Sequence, residues 1–124
     1  MTFTGFIPDV DLPNIYRVAD VFVNASIAEL QSIVTMEAMA SGLPIVAANI
    51  MALPELVHSG ENGYLFSAGD IQGLSSSVVK ILTQKALRER MSQKSLECIK
   101  VHDVRVIIKK YEEVYARAIE QHDK

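Results

Sequence analysis

The sequence predicts an α/β fold: a Rossmann-like three-layer arrangement in which flanking helices cover a mostly parallel sheet of about four strands. Two short apolar runs, at 21–24 and 45–48, lie on either side of a helical segment, which is the order of a βαβ unit. After Asp70, apolar residues recur at helical spacing. Turn-forming residues separate these parts, so we expect one α/β domain with a helical C-terminal third.

Local signals predict the first strand and the first helix. Residues 2–7 are expected to form a short strand that ends near Pro8. Asp11 is placed to cap a helix, and Pro13 suits the first turn of that helix. Apolar residues at helical spacing continue to about Ala19, where the helix should end.

The central βαβ unit has the clearest boundaries. Its first strand, at 21–24, is a short apolar run of the kind that is buried on both faces of a parallel sheet. The helix expected over 33–41 should stop at Gly42, the usual left-handed terminator, with Pro44 just beyond it. The next strand, at 45–48, follows at once.

Further elements follow the second strand. Pro54 opens a short helix over 55–58, and turn residues then lead into a last strand at 64–66. Three helices are expected after that strand: one capped by Asp70, one over about 85–97 and one over about 104–121.

Composition limits the possible functions. The 124 residues carry a net charge of −3 and are 49% hydrophobic, as expected for one globular domain spanning 1–124. An acidic chain lacks the basic footprint of nucleic-acid binding, so we expect no such partner. The single cysteine, Cys98, and the three histidines lack metal-ligand spacing. With no apolar run of about 20 residues and no secretory pattern, we expect a cytoplasmic protein.

Two glutamates flank the start of the central helix. Glu29 falls in the loop after a strand, at the edge where open α/β sheets bind ligands. Glu37 lies about two turns along the following helix and can face the same crevice. Either alone is an ordinary surface glutamate, but together they suit a ligand with hydroxyl groups. Between them, Ser32, Ile33 and Val34 begin the helix, where backbone N–H groups and the helix dipole favour a diphosphate.

A series of short motifs runs through the middle of the chain. In order, they are Ala-Asp-Val-Phe-Val at 19–23, Ser26, Glu29, Glu-Ala-Met-Ala-Ser-Gly-Leu-Pro-Ile-Val-Ala at 37–47, Pro-Glu-Leu-Val at 54–57, Gly-Glu-Asn-Gly-Tyr-Leu-Phe at 60–66 and Gly-Asp at 69–70. In this order they resemble the C-terminal nucleotide-sugar-binding domain of family-4 retaining glycosyltransferases. Those enzymes have the GT-B architecture of two Rossmann domains, and the chain would be part of the second.

The resemblance implies a role for each glutamate. Glu29 would be the catalytic residue, which contacts the sugar hydroxyls and supports positive charge on the ring without acting as a nucleophile. Glu37 would accept hydrogen bonds from the two ribose hydroxyls. The donor-binding residues would be Glu29, Leu30, Gln31, Ser32, Ile33, Val34 and Glu37. The donor would be a UDP- or GDP-hexose. Its hexose would be transferred with retention of configuration, and no cofactor or metal ion would be needed.

Two segments depart from the family pattern. The commoner form has glycines where this chain has Leu30 and Ser32, so polar side chains at Gln31 and Ser32 could contact the sugar or phosphate, and the donor is left open. A later loop carries Ile50 and Met51 where glycines are usual. The favoured interpretation is that these two residues only fill the loop. Alternatively, they line an apolar surface on the acceptor side, which would suit a lipid acceptor and a peripheral membrane location.

The resemblance also bears on partners. Family members are much longer, so these residues would be a fragment without the amino-terminal acceptor domain and without a basic pair that grips the diphosphate; the alternative is a naturally truncated protein that begins at Met1. Two strands that separate the first strand from the one at 21–24 in the family would be absent. That leaves an exposed strand edge and an uncovered final helix, so we expect a homodimer or larger self-association. The alternative function is a non-catalytic α/β domain that binds a nucleotide or associates with itself.

Overall fold

A computed structural model describes residues 1–122. Within this range the chain forms a three-stranded parallel sheet with helices around it. The strands are β1 (Phe22–Asn24), β2 (Ile45–Ala48) and β3 (Gly63–Phe66). The helices are α1 (Leu12–Val18), α2 (Ile33–Ala40), α3 (Leu53–Leu56), α4 (Ile71–Thr83), α5 (Lys85–Cys98) and α6 (Val104–His122), and a 3-10 turn, Ile99–His102, joins the last two.

The sheet has the order β1-β2-β3, and both neighbouring pairs are parallel. Val46 in β2 lies opposite Val23 on one side and Tyr64 on the other. All four residues of β2 are buried, which is expected of a central strand with helices on both faces. The predicted α/β class with a Rossmann-like parallel sheet is therefore confirmed.

The core is built where three helices meet the sheet. Met39 from α2, Ile81 from α4 and Met91 from α5 are each at most 1% exposed and belong to the same apolar cluster as β2. Burying a side chain of this size contributes roughly 1.5–3 kcal/mol. Most of the helical third is thus part of the same domain as the sheet.

The expected strand at 2–7 is not formed, so the sheet has three strands rather than about four. A strand needs a hydrogen-bonded neighbour, and β1 pairs only with β2 in the described part of the chain. Gly5 also turns the backbone, with φ of +66°. Phe3 and Phe6 consequently remain 84% and 89% exposed.

Helix ends follow local chemistry at two of the three places where it was predicted. Gly42 has φ of +77° and ends α2, and the Asp70 side chain accepts a 2.8 Å hydrogen bond from the Gly73 amide at the start of α4. The cap expected from Asp11 is wrong, because its side chain makes no capping bond. The backbone of Asp11 is itself helical, so its carboxylate is not placed to reach the first-turn amides.

The Asn-Gly turn joins α3 to β3 through a buried side chain. Asn62 is 0% exposed; its Oδ1 accepts from the His58 amide at 2.8 Å, and its Nδ2 donates to the Leu56 carbonyl at 2.9 Å. Gly63 then passes so close to β2 that a Cβ atom there would lie 1.8 Å from the Ile45 carbonyl oxygen. Both residues of the turn are therefore fixed by packing against the rest of the sheet.

The last helix lies apart from the core. α6 contains no buried residue, and its apolar side chains Ile108, Tyr111, Tyr115 and Ile119 are each between 52% and 65% exposed. No helix in residues 1–122 has the length and apolar character needed to cross a bilayer.

Candidate functional site

The loop after β1 carries Glu29 and is tied down at three points. The Ser26 amide donates to Oδ1 of Asn24 at 3.0 Å, and the Ala28 amide donates to Oγ of Ser26 at 3.3 Å. The Ala52 amide, from the loop after β2, donates to the Glu29 carbonyl at 3.2 Å. Glu29 is therefore held, half-buried, at the carboxyl edge of the sheet where the sequence predicted it.

The first turn of α2 is open at its surface. The side chains of Ile33 and Val34 are 59% and 46% exposed, so they do not cover the helix end. The first amides of a helix have no partner within it, and Ser32, at the N-cap position, supplies no side-chain bond to them. The Ile33 amide donates to the Gln31 carbonyl at 3.0 Å and the Met36 amide to the Ser32 carbonyl at 3.0 Å, so this eight-residue helix presents the amides of Val34 and Thr35, with the positive end of its dipole, at the carboxyl edge.

The Ser32 hydroxyl points inward instead, into a buried polar cluster of Asn24, Ser32 and Thr35. Nδ2 of Asn24 donates to Ser32 Oγ at 3.1 Å and to Thr35 Oγ1 at 3.2 Å, and the two hydroxyls lie 2.7 Å apart. The three residues are 8%, 1% and 0% exposed. A serine cap contributes about 1 kcal/mol, whereas each buried polar group left without a partner costs about 1–3 kcal/mol. The inward arrangement is therefore the more stable one.

Glu37 lies on the exposed side of α2 and is held by a tyrosine from α1. The Tyr16 hydroxyl donates to Oε2 of Glu37 at 3.1 Å. Desolvation, followed by the hydrogen bond to Glu37 and its negative charge, raises the pKa of Tyr16 to about 12. Tyr16 thus stays protonated at neutral pH and orients one carboxylate oxygen, which leaves Oε1 directed to other partners.

Shallow hollows lie along α2. One of about 310 Å³ is lined by Leu30, Gln31 and Ser32 together with Met36 and His102. The next, of about 420 Å³, shares Met36 and His102 and is lined in addition by Ile33, Glu37 and Lys100. A third, of about 450 Å³, is lined by Tyr16 and Glu37 together with Ala40 and Ser41 and so lies at the carboxyl end of α2.

Of the predicted donor-binding residues, Leu30, Gln31 and Ser32 line one hollow and Ile33 and Glu37 the adjoining one, whereas Glu29 and Val34 line neither. The larger hollow of about 530 Å³ at Asp20 and Arg88 lies at the opposite, amino edge of the strands. Arg88 there is already engaged by Asp20, with Nε 3.4 Å from Oδ1, and by the Leu82 carbonyl. The carboxyl edge is the better candidate for a ligand site, because open parallel sheets bind ligands at the carboxyl ends of their strands.

Sequence reasoning missed four residues of this region. Tyr16 lies at an apolar position of the helix predicted to end near Ala19, and its contact with Glu37, 21 residues away, has no local signal. Asn24 is a polar residue that ends an apolar strand, and this could have indicated a role at the carboxyl edge. Thr35 and His102 had no distinguishing pattern.

Metal-ligating side chains are scattered. Among residues 1–122, no three His, Cys, Asp or Glu side chains gather closely enough to hold a metal ion. His58 and Cys98 do meet, with Nδ1 and Sγ 4.0 Å apart, but two ligands are too few for a structural zinc site.

Comparison with known proteins places these residues in a family. Residues 1–84 match the family described as group 1 glycosyl transferases. A sulfoquinovosyl transferase of Arabidopsis thaliana is 33% identical over 94% of this chain and 24% of its own length. A phosphatidyl-myo-inositol mannosyltransferase of Mycobacterium leprae is 34% identical over 91% of this chain and 30% of its own length.

Solved structures agree with the sequence matches. Sucrose-phosphate synthase from Thermosynechococcus elongatus superposes with a TM-score of 0.87 at 26% identity, over 97% of this chain and 30% of that one. Anabaena HepE, in complex with UDP and glucose, has a TM-score of 0.84 at 27% identity, over 94% of this chain and 32% of that one. The chain thus spans between a quarter and a third of the length of these proteins. It belongs to the group 1 glycosyltransferases, and its fold is that of a part of their GT-B architecture.

Proposed function

We propose that this chain is the donor-binding part of a family-4 retaining glycosyltransferase that transfers a hexose from a nucleotide sugar. The observation that carries the proposal is that Leu30, Gln31 and Ser32 line one hollow at the start of α2, Ile33 and Glu37 line the adjoining one, and the loop of Glu29 leads into them. The likeness to a protein solved with UDP and glucose supports a nucleotide sugar as the ligand of that edge.

In this proposal Glu37 holds the ribose. Its exposed carboxylate accepts hydrogen bonds from the two vicinal hydroxyls, and charge-assisted bonds of this kind are about twice as strong as neutral ones. Tyr16 fixes Oε2 and so limits the rotation of the carboxylate before the ligand arrives. Less conformational entropy is then lost on binding.

The start of α2 takes the diphosphate. The backbone amides of its first turn point out of the helix, and the helix dipole adds the equivalent of about half a positive charge there. Backbone donors do not depend on side-chain identity, so Val34 serves although it is apolar. The Ile33 amide donates to the Gln31 carbonyl at 3.0 Å and would exchange that partner for a phosphate oxygen. Because the helix end neutralises part of the negative charge of the diphosphate, we propose that binding requires no metal ion and no cofactor.

Glu29 acts on the transferred sugar. Its carboxylate accepts from sugar hydroxyls, and its charge stabilises the positive ring that develops as the bond from the anomeric carbon to the phosphate oxygen breaks. The diphosphate leaves with the electron pair. Retention requires the acceptor oxygen to form its bond on the face that the diphosphate leaves, so Glu29 supports charge and does not attack. The O–H bond of the acceptor breaks in this step, and its proton passes to the departing phosphate oxygen on the same face.

The acceptor is proposed to be held by an amino-terminal domain outside these residues. Bringing two substrates together supplies a large part of such catalysis, so residues 1–124 alone should transfer no sugar. Met51 lies in the loop after β2 and is 52% exposed, and we propose that it forms part of an apolar surface on the acceptor side. A lipid acceptor, with peripheral membrane attachment of the whole enzyme, would suit such a surface.

Nucleotide binding by the 124-residue chain tests the proposal. Saturating UDP, or GDP if the base is guanine, should raise the free energy of unfolding, because a ligand that binds only the folded state stabilises it. Glu37→Ala should weaken this binding roughly 10- to 150-fold, which corresponds to about 1.5–3 kcal/mol for a lost charge-assisted hydrogen bond.

The matched control is Glu112→Ala, which removes an exposed carboxylate from α6, outside the proposed site. This variant should bind the nucleotide as the wild type does. If Glu37→Ala also binds unchanged, then Glu37 is not in the site, and if neither nucleotide binds the wild type, the donor-binding proposal fails for this chain.

Self-association is a second candidate function, favoured by the exposed apolar residues of α6 and by the edge position of β1. We propose a second copy of this chain as the partner, because one copy can cover both features of the other. Sedimentation at tens of micromolar should show a dimer or larger species. A clean monomer at that concentration contradicts this candidate.

A further inference from the structure

Ser32 occupies the N-cap position of α2 and is of the residue type that commonly caps helices there. A capping hydroxyl accepts a hydrogen bond from the second or third amide of the helix, here Val34 or Thr35. In this structure the Ser32 side chain makes no such bond, and its hydroxyl lies 2.7 Å from Thr35 Oγ1 within the core. A residue that could close the helix end therefore leaves it open.

Two buried neighbours hold the hydroxyl inward. Thr35 and Asn24 both bond to Ser32 Oγ, and Asn24 also bonds to Thr35 Oγ1. No side-chain N or O atom that is buried within residues 1–122 lacks a partner. If Ser32 rotated outward to cap the helix, Asn24 and Thr35 would each lose a hydrogen bond to its hydroxyl. The inward rotamer thus depends on Asn24 and Thr35.

An open helix end matters because a cap and an anion compete for the same amides. An oxygen of Ser32 on the Val34 or Thr35 amide would stand where a phosphate oxygen has to bind. Neither Asn24 nor Thr35 is exposed enough to contact a ligand, at 8% and 0% exposure. Any effect of these two residues on a ligand must therefore act through Ser32 and the backbone.

We propose that Asn24 and Thr35 are positioning residues, which retain the Ser32 hydroxyl in the core and so keep the amino end of α2 free for the diphosphate of the donor. The inference rests on the proposed function, because it concerns the same site. It adds that the serine found where the family commonly has glycine is made compatible with phosphate binding by its buried partners.

Three variants of the 124-residue chain test this inference, with UDP as the probe. Thr35→Val keeps the shape of the side chain but removes the hydroxyl, so Ser32 can turn outward and cap the helix; the UDP dissociation constant should rise about fivefold. Ser32→Ala cannot cap and serves as the background in which the effect of Thr35→Val is measured again. In the double variant Ser32→Ala/Thr35→Val the UDP dissociation constant should be that of Ser32→Ala alone, a rescue that a loss of packing would not produce.

Ser95→Ala is the matched control for stability. Ser95 is a 0% exposed serine whose hydroxyl donates to the Leu43 carbonyl at 2.7 Å, at the amino edge of the sheet. It should lower the melting temperature and leave UDP binding unchanged. Unchanged UDP binding in Thr35→Val, or no rescue in the double variant, would overturn the inference.

Amide hydrogen exchange separates this inference from the proposed function. In Thr35→Val the amides of residues 34 and 35 should exchange more slowly than in the wild type, because Ser32 now caps them, and the double variant should not show the slowing. This readout needs no nucleotide. If the wild type fails to bind UDP, the proposed function fails alone, whereas unaltered exchange in Thr35→Val refutes the positioning role whatever UDP does.

Discussion

Asn62 offers the sharpest test of how the sheet is held together. Replacing it by alanine removes the acceptor of the His58 amide and the donor to the Leu56 carbonyl, both at less than 3 Å. Each buried group left without a partner costs about 1–3 kcal/mol. His58 is exposed, so water can reach its amide in part and its share should be near the lower limit. We therefore expect Asn62→Ala to lower the free energy of unfolding by about 2–4 kcal/mol.

Urea unfolding followed by circular dichroism measures this loss. Glu61→Ala is the matched control, because Glu61 is the preceding residue and, among residues 1–122, its one ion pair is exposed, with Oε2 3.8 Å from Lys94 Nζ. Exposed ion pairs contribute little, so this variant should unfold at the wild-type urea concentration. A loss below about 1 kcal/mol in Asn62→Ala would refute the reasoning, since it would mean that the two backbone groups find other partners.

The remaining predictions concern the sheet and the site. Gly63→Ala should prevent folding, because its Cβ would lie 1.8 Å from the Ile45 carbonyl oxygen, and a native circular dichroism spectrum would contradict this. The raised pKa of Tyr16 stabilises the fold fully below about pH 10, the ordinary tyrosine value, and is lost as the pH rises towards 12. Wild-type stability should therefore fall more steeply than that of Tyr16→Phe in urea titrations from pH 9 upward; parallel curves would show that neither burial nor the Glu37 contact raises this pKa. In the full-length enzyme, Glu29→Ala should lower kcat strongly and change UDP affinity little, whereas equal losses in both would contradict its role at the sugar.

The elements that the sequence predicted well are those whose signals lie within a few residues. The end of α2 follows from Gly42 and Pro44, and the start of α4 follows from Asp70, because caps and terminators act on adjacent amides. The apolar runs of β1 and β2 were placed within one residue for a similar reason. A strand buried on both faces needs an unbroken apolar stretch, which is visible in the sequence.

The features that were predicted wrongly or missed depend on contacts between segments that are far apart in the sequence. Residues 2–7 have the composition of a strand, but a strand forms only beside another strand. In the described part of the chain β1 pairs only with β2, and no local pattern in the sequence indicates this. The bond from Tyr16 to Glu37 and the inward turn of Ser32 likewise depend on which helices meet the sheet. Propensity and periodicity describe a segment, whereas these features belong to pairs of segments.

The replacement of glycines at Leu30 and Ser32 has different consequences at the two positions. Ser32 is 1% exposed and its hydroxyl is used within the core, so under the proposed function its side chain adds no group to the donor cleft. Leu30 is 84% exposed and lines the hollow at the start of α2 with Gln31. Backbone amides bind phosphate whatever the side chains are, but sugar hydroxyls are distinguished by the groups that touch them. Under the proposed function, the choice of sugar should therefore depend on Leu30 and Gln31, and nucleotide binding should depend on Glu37 and the helix end.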